Sequence, residues 1–401
     1  MAGEWLRTTI GAQVMLQRGI DITRKEQRPG TVPVVSSGGV KSYHDTPHRH
    51  GSGVVLGRKG TLGTVFFLPG PYWPHDTTLW VRDFHGNDPR FVYYFFKNLD
   101  ILHLDVGSAN PTLNRNHVHP IRVRWPPLDE QRRIAAVLGA LDDKIELNRK
   151  MNQTLEEMAQ ALFTSWFIDF DGVPDSELVE SELGPIPRGW EVAKLRHHIS
   201  LDKGLSYKGK FLTETGTPMV NLKCVKPHGG FLRNATKPYS GEFKSRHEVR
   251  PGDMVIANTD LTQARDILGC PAFVPTMPEA ETIITSHHTF AIRLRDDALV
   301  GRNFLYHLLL APVSRQRCRG FATGTTVLAV PKDAVLDCPF ALPLQDRLRK
   351  FEEIATSLRS KIETNEDQVE TLSTTRDTLL PKLISGEIRV PEAKEAVEAV
   401  L

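Results

Sequence analysis

The chain is predicted to be an α/β (α+β) protein built twice. Two globular units with twisted mixed sheets are separated by two long antiparallel helices, which form a coiled coil about an internal pseudo-twofold. Three observations predict this. First, PPLDEQRRIAAVLGALDDKIELNRKMNQTLEEMAQALFTSWF (Pro126 to Phe167) and LPLQDRLRKFEEIATSLRSKIETNEDQVETLSTTRDTLLPKLI (Leu342 to Ile384) are near copies. Lys144-Ile145-Glu146-Leu147-Asn148 is answered by Lys361-Ile362-Glu363-Thr364-Asn365. Second, both copies carry a heptad. Third, each copy follows a Gly- and Pro-punctuated region of short apolar runs. Two copies indicate a duplicated protein rather than a solenoid.

In the first helix Ile134, Leu138, Leu141, Ile145, Asn148, Asn152, Leu155, Ala159, Leu162 and Trp166 step by four and three. In the second, Phe351, Ala355, Leu358, Ile362, Asn365, Val369, Leu372, Arg376, Leu379 and Leu383 do the same. A repeat of about 3.5 residues sustained this long specifies a coiled-coil seam. At about 1.5 Å per residue each helix spans roughly 55 Å. Gly139 and Pro381 are the two interior breakers, and Pro381 is expected to kink or end its helix, because proline lacks a donor and clashes one turn back. Asn148 and Asn365 share one seam position near the middle of each helix. Antiparallel pairing about a pseudo-twofold predicts that they face each other and fix the register. The alternative is that both reach water at the seam's edge.

The outer regions repeat more faintly. Trp5 to Gly19 and Trp190 to Gly204 place Trp, two aliphatics and Gly at equal intervals. Gly53 to Leu56, Val65 to Leu68, Met254 to Ala257 and Phe290 to Leu294 read as strands, and Pro89–Leu99 and Arg302–Leu310 as helices. The resulting organisation is a globular unit (1–125), a helix (126–167), a linker (168–188), a second globular unit (189–341), a second helix (342–384) and a tail (385–401). The linker is acidic and rich in Pro and Gly. Each globular unit is long enough for its own core.

The net charge of +2 conceals a division. Residues 1–125 hold 15 Lys and Arg against 9 Asp and Glu, and residues 184–340 hold 21 against 14. The helical segments are acidic, with 5 against 13 in residues 126–183 and 9 against 12 in residues 341–401. All 15 histidines lie in the basic regions. Two basic units divided by acidic helices point to a polyanion held by the units, with the helices serving another purpose. Cys224, Cys270, Cys318 and Cys338 form no CxxC and read as reduced, buried thiols. With no signal peptide or membrane-spanning run, the chain is expected to be cytoplasmic.

Motifs for chemistry are few. Gly57-Arg58-Lys59-Gly60-Thr61-Leu62-Gly63 lacks the GK[ST] ending of a phosphate loop. It reads as a strand-end turn offering Arg58 and Lys59 to an external phosphate. His44, Asp45, His48 and His50 have ligand chemistry, but without a second cluster at defined spacing they read as a polar loop and no metal is expected. There is no NPPY-like or DPPY-like tetrapeptide, no GxGxxG after a strand, no helicase box and no nuclease PD…(D/E)xK pattern. Asp169 and Asp171 sit in a solvated stretch, so no catalytic residue is assigned.

The two repeated segments, together with Val54–Gly63 (VVLGRKGTLG), Tyr72–Thr78 (YWPHDTT) and Ser108–Val118 (SANPTLNRNHV), resemble the specificity subunits of type I restriction-modification systems over essentially the whole chain. The resemblance implies that residues 1–125 and 189–341 are target recognition domains, each reading half of a bipartite, asymmetric double-stranded DNA site. The helices 126–167 and 342–384 are then conserved spacers. It implies a chain without catalysis or cofactor of its own. Two methyltransferase subunits bring S-adenosylmethionine, and two restriction subunits bring ATP and Mg²⁺. In the second repeat Leu344-Gln345-Asp346-Arg347 replaces Leu128-Asp129-Glu130-Gln131, and the GRKGTLG turn is answered only by Ala257 to Thr262.

Base edges are read by side chains with matching donors and acceptors. The candidates in the first unit are His48, Arg49, Arg58, Lys59, Asn114, Arg115 and Asn116. In the second they are Tyr207, Lys208, Lys223, Lys244, Arg246, His247, Asn258, Gln263 and Arg265. Some are expected to grip only phosphate. Helix pairing is assigned to Ile134, Leu138, Leu141, Ile145, Asn148, Leu155 and Leu162 on one side. On the other it is assigned to Leu358, Ile362, Asn365, Val369, Leu372 and Leu379. Two other readings stay open: a stand-alone DNA-modifying enzyme or nuclease with an unrecognised site, and a coiled-coil scaffold that never touches DNA.

Overall fold

The computed structural model describes residues 5–100 and 112–401. The first four residues of the SANPTLNRNHV motif, Ser108 to Pro111, lie outside them. The heptad segments form α-helices over Leu128–Phe167 and Gln345–Ser385. The chain divides into two compact units, and each takes half of both helices. Unit 1 is 1–150 with 365–401, and unit 2 is 151–364.

Unit 1 is built on a four-stranded antiparallel sheet in the order Met15–Arg18, Thr78–Asp83, Gly53–Gly57, Val65–Leu68. A mixed three-stranded sheet joins Gly39–His44, Val32–Ser36 and Trp73–Pro74. A two-stranded ribbon pairs Leu6–Thr9 with Arg122–Trp125 and leads into the first long helix. Helix Pro89–Asn98 is started by Asp88, whose carboxylate accepts from the Phe91 N–H, and by Pro89 at the first turn. Its Phe91, Val92, Tyr94 and Phe96 are buried. They share one core with Ile134, Leu138, Leu141 and Ile145 of the first long helix and Leu372, Leu379 and Leu383 of the second.

Unit 2 repeats the plan. Its antiparallel sheet runs Ile199–Lys203, Thr289–Leu294, Met254–Ala257, Pro271–Phe273. Its mixed sheet runs Lys237–Tyr239, Leu212–Val220, Ile283–Thr285, Glu248–Val249. Its ribbon pairs Glu191–Lys194 with Pro339–Leu342. The loop hydrogen bonds repeat as well. Gly19 donates to Thr78 O and Gly204 to Thr289 O, while Leu113 donates to Arg58 O and Val330 to Asn258 O. A Cβ on Gly19 would lie 2.0 Å from His75 O, and one on Gly204 2.2 Å from Ser286 O. Crossing backbones at this distance admit only glycine, which is why the faint Trp-to-Gly repeat keeps both.

Within unit 1 the helices run antiparallel. Asp142 meets Arg376 at 2.7 Å, and the Asn148 Nδ2 donates to Gln368 Oε1 at 2.7 Å. Asn148 and Asn365 are 1% and 2% exposed, so neither reaches water at the seam's edge. The Asn148 amide donates to Gln368, three residues beyond Asn365, so its hydrogen bond is made with a neighbour of the expected partner. The second helix does not end at Pro381 but continues to Ser385. Leu379, Leu380, Leu383 and Ile384 are all buried in the unit 1 core and hold the last turn against the lost hydrogen bond. Gly139 likewise breaks nothing, and its carbonyl accepts from Arg90. Residues 390–398, read as tail, form a helix whose Val390, Ala393 and Val397 enter the same core.

Within unit 2 the seam departs from the heptad. The heptad residues Ala159, Phe351, Ala355 and Ile362 are buried as expected, but Leu155, Leu162 and Leu358 are only half-buried, and Phe163 and Phe167 are buried off the heptad. A straight helix drifts by about 20° per heptad against a 3.5-residue repeat, so the buried stripe passes from Leu162 to Phe163. The segment read as linker contains a hairpin, Leu178–Ser181 with Gly184–Pro187, and Ile186 packs into the unit 2 core.

Helix Arg302–Leu310 has no cap of its own at Gly301. Glu352 of the second long helix supplies it, accepting from Phe304 N at 2.7 Å and from Asn303 N at 3.3 Å and Nδ2 at 3.0 Å. Glu352→Ala is expected to destabilise unit 2 by about 1–2 kcal/mol through loss of this cap, measured by urea unfolding. Unchanged stability would show that the cap carries no weight. All four cysteines are free and buried. Burial pushes the Cys224 thiol up to about 11 and the Cys318 thiol to about 12. No described helix is long and apolar enough to cross a membrane.

Candidate nucleic-acid interface

In unit 1 the GRKGTLG segment is a turn between two adjacent strands, as expected. The Arg58 and Lys59 N–H groups both donate to Thr77 O, at 3.0 and 3.1 Å, and the Leu113 N–H donates to Arg58 O at 2.9 Å. These bonds draw three distant segments together around a basin of about 530 Å³. Arg58, Asn114, Arg115 and Asn116 line it, as do Gln17, Arg18 and Arg82, which sequence reasoning missed. Asn114 Oδ1 accepts from Asn116 N at 3.0 Å and so starts the turn that carries Arg115. Arg18 is paired with Asp76 at 3.0 Å. Burial, then the neighbouring Arg18 cation, lowers the Arg58 pKa from its usual value, with Asp76 acting the other way.

His48 and Arg49 lie over an aromatic platform. The Arg49 guanidinium stands 5.1 Å over the Trp80 ring and donates to Arg82 O. His48 meets Trp73 and Trp80 edge-on, and burial followed by the Arg49 charge lowers its pKa. The YHDTPHRH histidines do not converge. His44 is buried with Nδ1 accepting from Arg28 N, and Asp45 is held by Arg28. Among the described residues the one cluster of three ligand-type side chains is Asp21, His75 and Asp76. Its Asp76 is already engaged by Arg18 and His75.

Unit 2 treats its candidates differently. The hydrogen-bond frame makes Asn258 the counterpart of Arg58, yet Asn258 is 5% exposed and its Nδ2 donates to His287 O. His247 is equally buried, and its ring nitrogens accept from Lys244 N and lie 3.3 Å from Arg246 Nε. Both are therefore withdrawn as DNA-facing side chains, because both are buried, His247 with its two ring nitrogens engaged by its own loop and Asn258 with its Nδ2 spent on His287. Lys208, Lys223, Lys244, Arg246 and Gln263 are exposed, and Tyr207 and Arg265 are half-buried. Gln263 Nε2 donates to Thr325 O, and Arg265, at φ +57, donates to Arg319 O. The buried Asp260 shapes this loop by accepting from Thr262 N and Ile267 N. Tyr207 packs on His287, and the His287 and His288 rings lie 3.9 Å apart. The adjacent histidines were the available signal for this cluster, and sequence reasoning passed over them. The registers also align Gln131 with Leu348 rather than with Arg347. Gln131 bonds Asn87, Asp88 and Pro126, whereas Leu348 is core.

The model of the type I restriction modification DNA specificity domain matches residues 14–157. The type I restriction enzyme HindI specificity subunit of Haemophilus influenzae is 48% identical over 341 residues, covering 69% of this chain and 71% of the relative. This chain belongs to the type I restriction enzyme specificity subunits. The MjaIX specificity subunit of Methanocaldococcus jannaschii is 27% identical over 84% of this chain and 78% of its own. The crystal structure of an S subunit from M. genitalium shares the fold, with a TM-score of 0.60 at 16% identity over 95% of this chain and 96% of that one. As a specificity subunit, the protein contributes DNA sequence recognition to a restriction-modification system and is not itself the enzyme. The basin and the aromatic platform of unit 1, and the Tyr207–His287 cluster of unit 2, are its candidate contact regions.

Proposed function

We propose that this specificity subunit reads a bipartite, asymmetric site in double-stranded DNA, one half through residues 1–125 and the other through residues 189–341. The observation that carries this is a single hydrogen-bonded frame built twice with different side chains, Arg58 and Thr77 in one copy and Asn258 and His288 in the other. One scaffold with two side-chain sets reads two different sequences. Arg, Asn and Gln in the first basin suit phosphate and base-edge contacts. The acidic helices dock two methyltransferase subunits and two restriction subunits, which bring S-adenosylmethionine, ATP and Mg²⁺, while this chain binds none of them. The complex works in the cytoplasm.

Methylome sequencing of cells expressing this chain with its methyltransferase subunit tests the reading. The expected result is one motif of two defined halves around an unspecified gap. Methylation at a single undivided motif, or turnover by the chain alone, would overturn it. The helices set the gap. One heptad inserted in both adds about 10 Å, or roughly three base pairs at about 3.4 Å each. An unchanged gap in the methylated motif would refute the ruler.

A further inference from the structure

We infer that the two units hold DNA unequally: the unit 1 basin is a backbone-phosphate site, and its unit 2 counterpart is closed by the chain's own carboxylates. The inference rests on the reading above that both units meet DNA. The strand registers fix the comparison. Gln17 and Arg18 pair with Trp80 and Leu79, as Asp202 and Lys203 pair with Ala291 and Phe290. Arg115 follows Leu113 as Lys332 follows Val330, and both Leu113 and Val330 are anchored to the turn residue, Arg58 or Asn258.

At these positions unit 1 places Arg18, Arg58, Arg82 and Arg115 around one concave surface, with Asp76 beside them. Among the described residues no carboxylate lies within 4.0 Å of the Arg82 or Arg115 guanidinium, and both side chains are exposed. The strand carrying Arg82 bulges opposite Met15 and Leu16. A bulge re-aims a side chain, here towards the basin. Several guanidiniums without carboxylate partners raise the local potential and offer charge-assisted hydrogen bonds to phosphate oxygens.

Unit 2 keeps cations at two of these places, Arg293 and Lys332, and uses both internally, while Lys203, the counterpart of Arg18, is exposed. Its strand Thr289–Leu294 pairs without a bulge, and Arg293 bonds Asp202 at 3.2 Å, Asp253 at 3.0 Å and the Glu248 carbonyl. Lys332 Nζ donates to the Leu201 carbonyl. Gln17 has become Asp202, and Arg58 has become the buried Asn258. A phosphate at that surface would face Asp202 and Asp253 and would have to displace them from Arg293. At this surface unit 2 therefore offers neutral and aromatic contacts, with Tyr207, His287 and His288 half-buried beside its turn, and its exposed Lys208, Lys223, Lys244 and Arg246 stand outside these aligned positions.

The test is the salt dependence of binding of the full chain to a mixed-sequence DNA duplex, read as the slope of log affinity against log salt concentration. Arg82→Gln and Arg115→Gln are each expected to reduce the slope by about 0.9, so the affinity lost between about 50 and 200 mM salt shrinks roughly threefold. Arg293→Gln and Lys332→Gln should leave the slope within about 0.3 of wild type. Circular dichroism melts confirm that each variant is folded, and either unit 2 variant suffices if the other is not. Equal slope changes from the two units, or none from Arg82→Gln and Arg115→Gln, would overturn the inequality while leaving DNA binding intact. Wild-type binding without salt dependence would overturn both the inference and the reading beneath it.

Discussion

Phe163→Ala is expected to destabilise unit 2 by about 3–5 kcal/mol, and Leu162→Ala by only about 1 kcal/mol. Phe163 is fully buried, with its ring 5.3 Å from Phe167, 5.4 Å from Phe304, 5.9 Å from His307 and 5.9 Å from Phe351. It therefore joins both long helices to the helix Arg302–Leu310. Removing it costs the transfer of an aromatic side chain and leaves a cavity that rings on three elements cannot all collapse to fill. Leu162 is half-buried and forfeits less. Hydrogen exchange in the helix Arg302–Leu310, together with urea unfolding of both variants, measures the difference. Equal losses would mean that the heptad's own seam residue, Leu162, carries the packing after all.

Asp142→Ala is expected to cost unit 1 about 3 kcal/mol. Asp142 accepts from the Tyr94 hydroxyl at 2.7 Å and from Arg376 at 2.7 Å, with side-chain exposures of 21% for Asp142 and 15% for Arg376. One carboxylate thus fastens the helix Pro89–Asn98 and the second long helix to the first. Without it Arg376 keeps only the exposed Asp377, and the buried Tyr94 hydroxyl loses its partner. Burial, reinforced by Asp142, holds the Tyr94 phenol in its neutral form well above its ordinary pKa, so it acts as a donor. Adding Arg376→Ala to Asp142→Ala should recover about 1–3 kcal/mol of the summed single losses. Strict additivity in that double-mutant cycle would show that the pair is not coupled.

Much of the architecture was legible because it depends on local periodicity. Four apolar runs read as strands and two segments read as helices are found where expected. The long helices begin and end within a few residues of the heptad segments. Ile134, Leu138, Leu141 and Ile145 are buried as the spacing requires. The faint Trp-to-Gly repeat also held, because its glycines answer a steric demand that each unit makes of its own backbone.

The candidate site was legible only in part. Arg58, Asn114, Arg115 and Asn116 meet at one basin, but Arg18 and Arg82 carry no local mark that separates them from any surface arginine. Asn258 and His247 have the right chemistry for base edges but are buried, His247 bonded by its own loop and Asn258 donating to His287. A polar side chain's identity states what it can bond, and the neighbours that the fold delivers decide what it does bond.

By itself the sequence determined the duplication, the two long helices, the basic and acidic segments and the likeness to specificity subunits. The first three follow from spacing and composition, which folding does not alter, and the likeness rests on the segments that resemble that family. Only the tertiary structure decided that Phe163 displaces Leu162, that Asn148 pairs with Gln368, that Glu352 caps a helix some fifty residues before it, and that Arg58 is presented where Asn258 is hidden. Each of these depends on groups far apart in sequence competing for the same buried space or the same hydrogen bond. That competition is settled only when the chain has closed on itself.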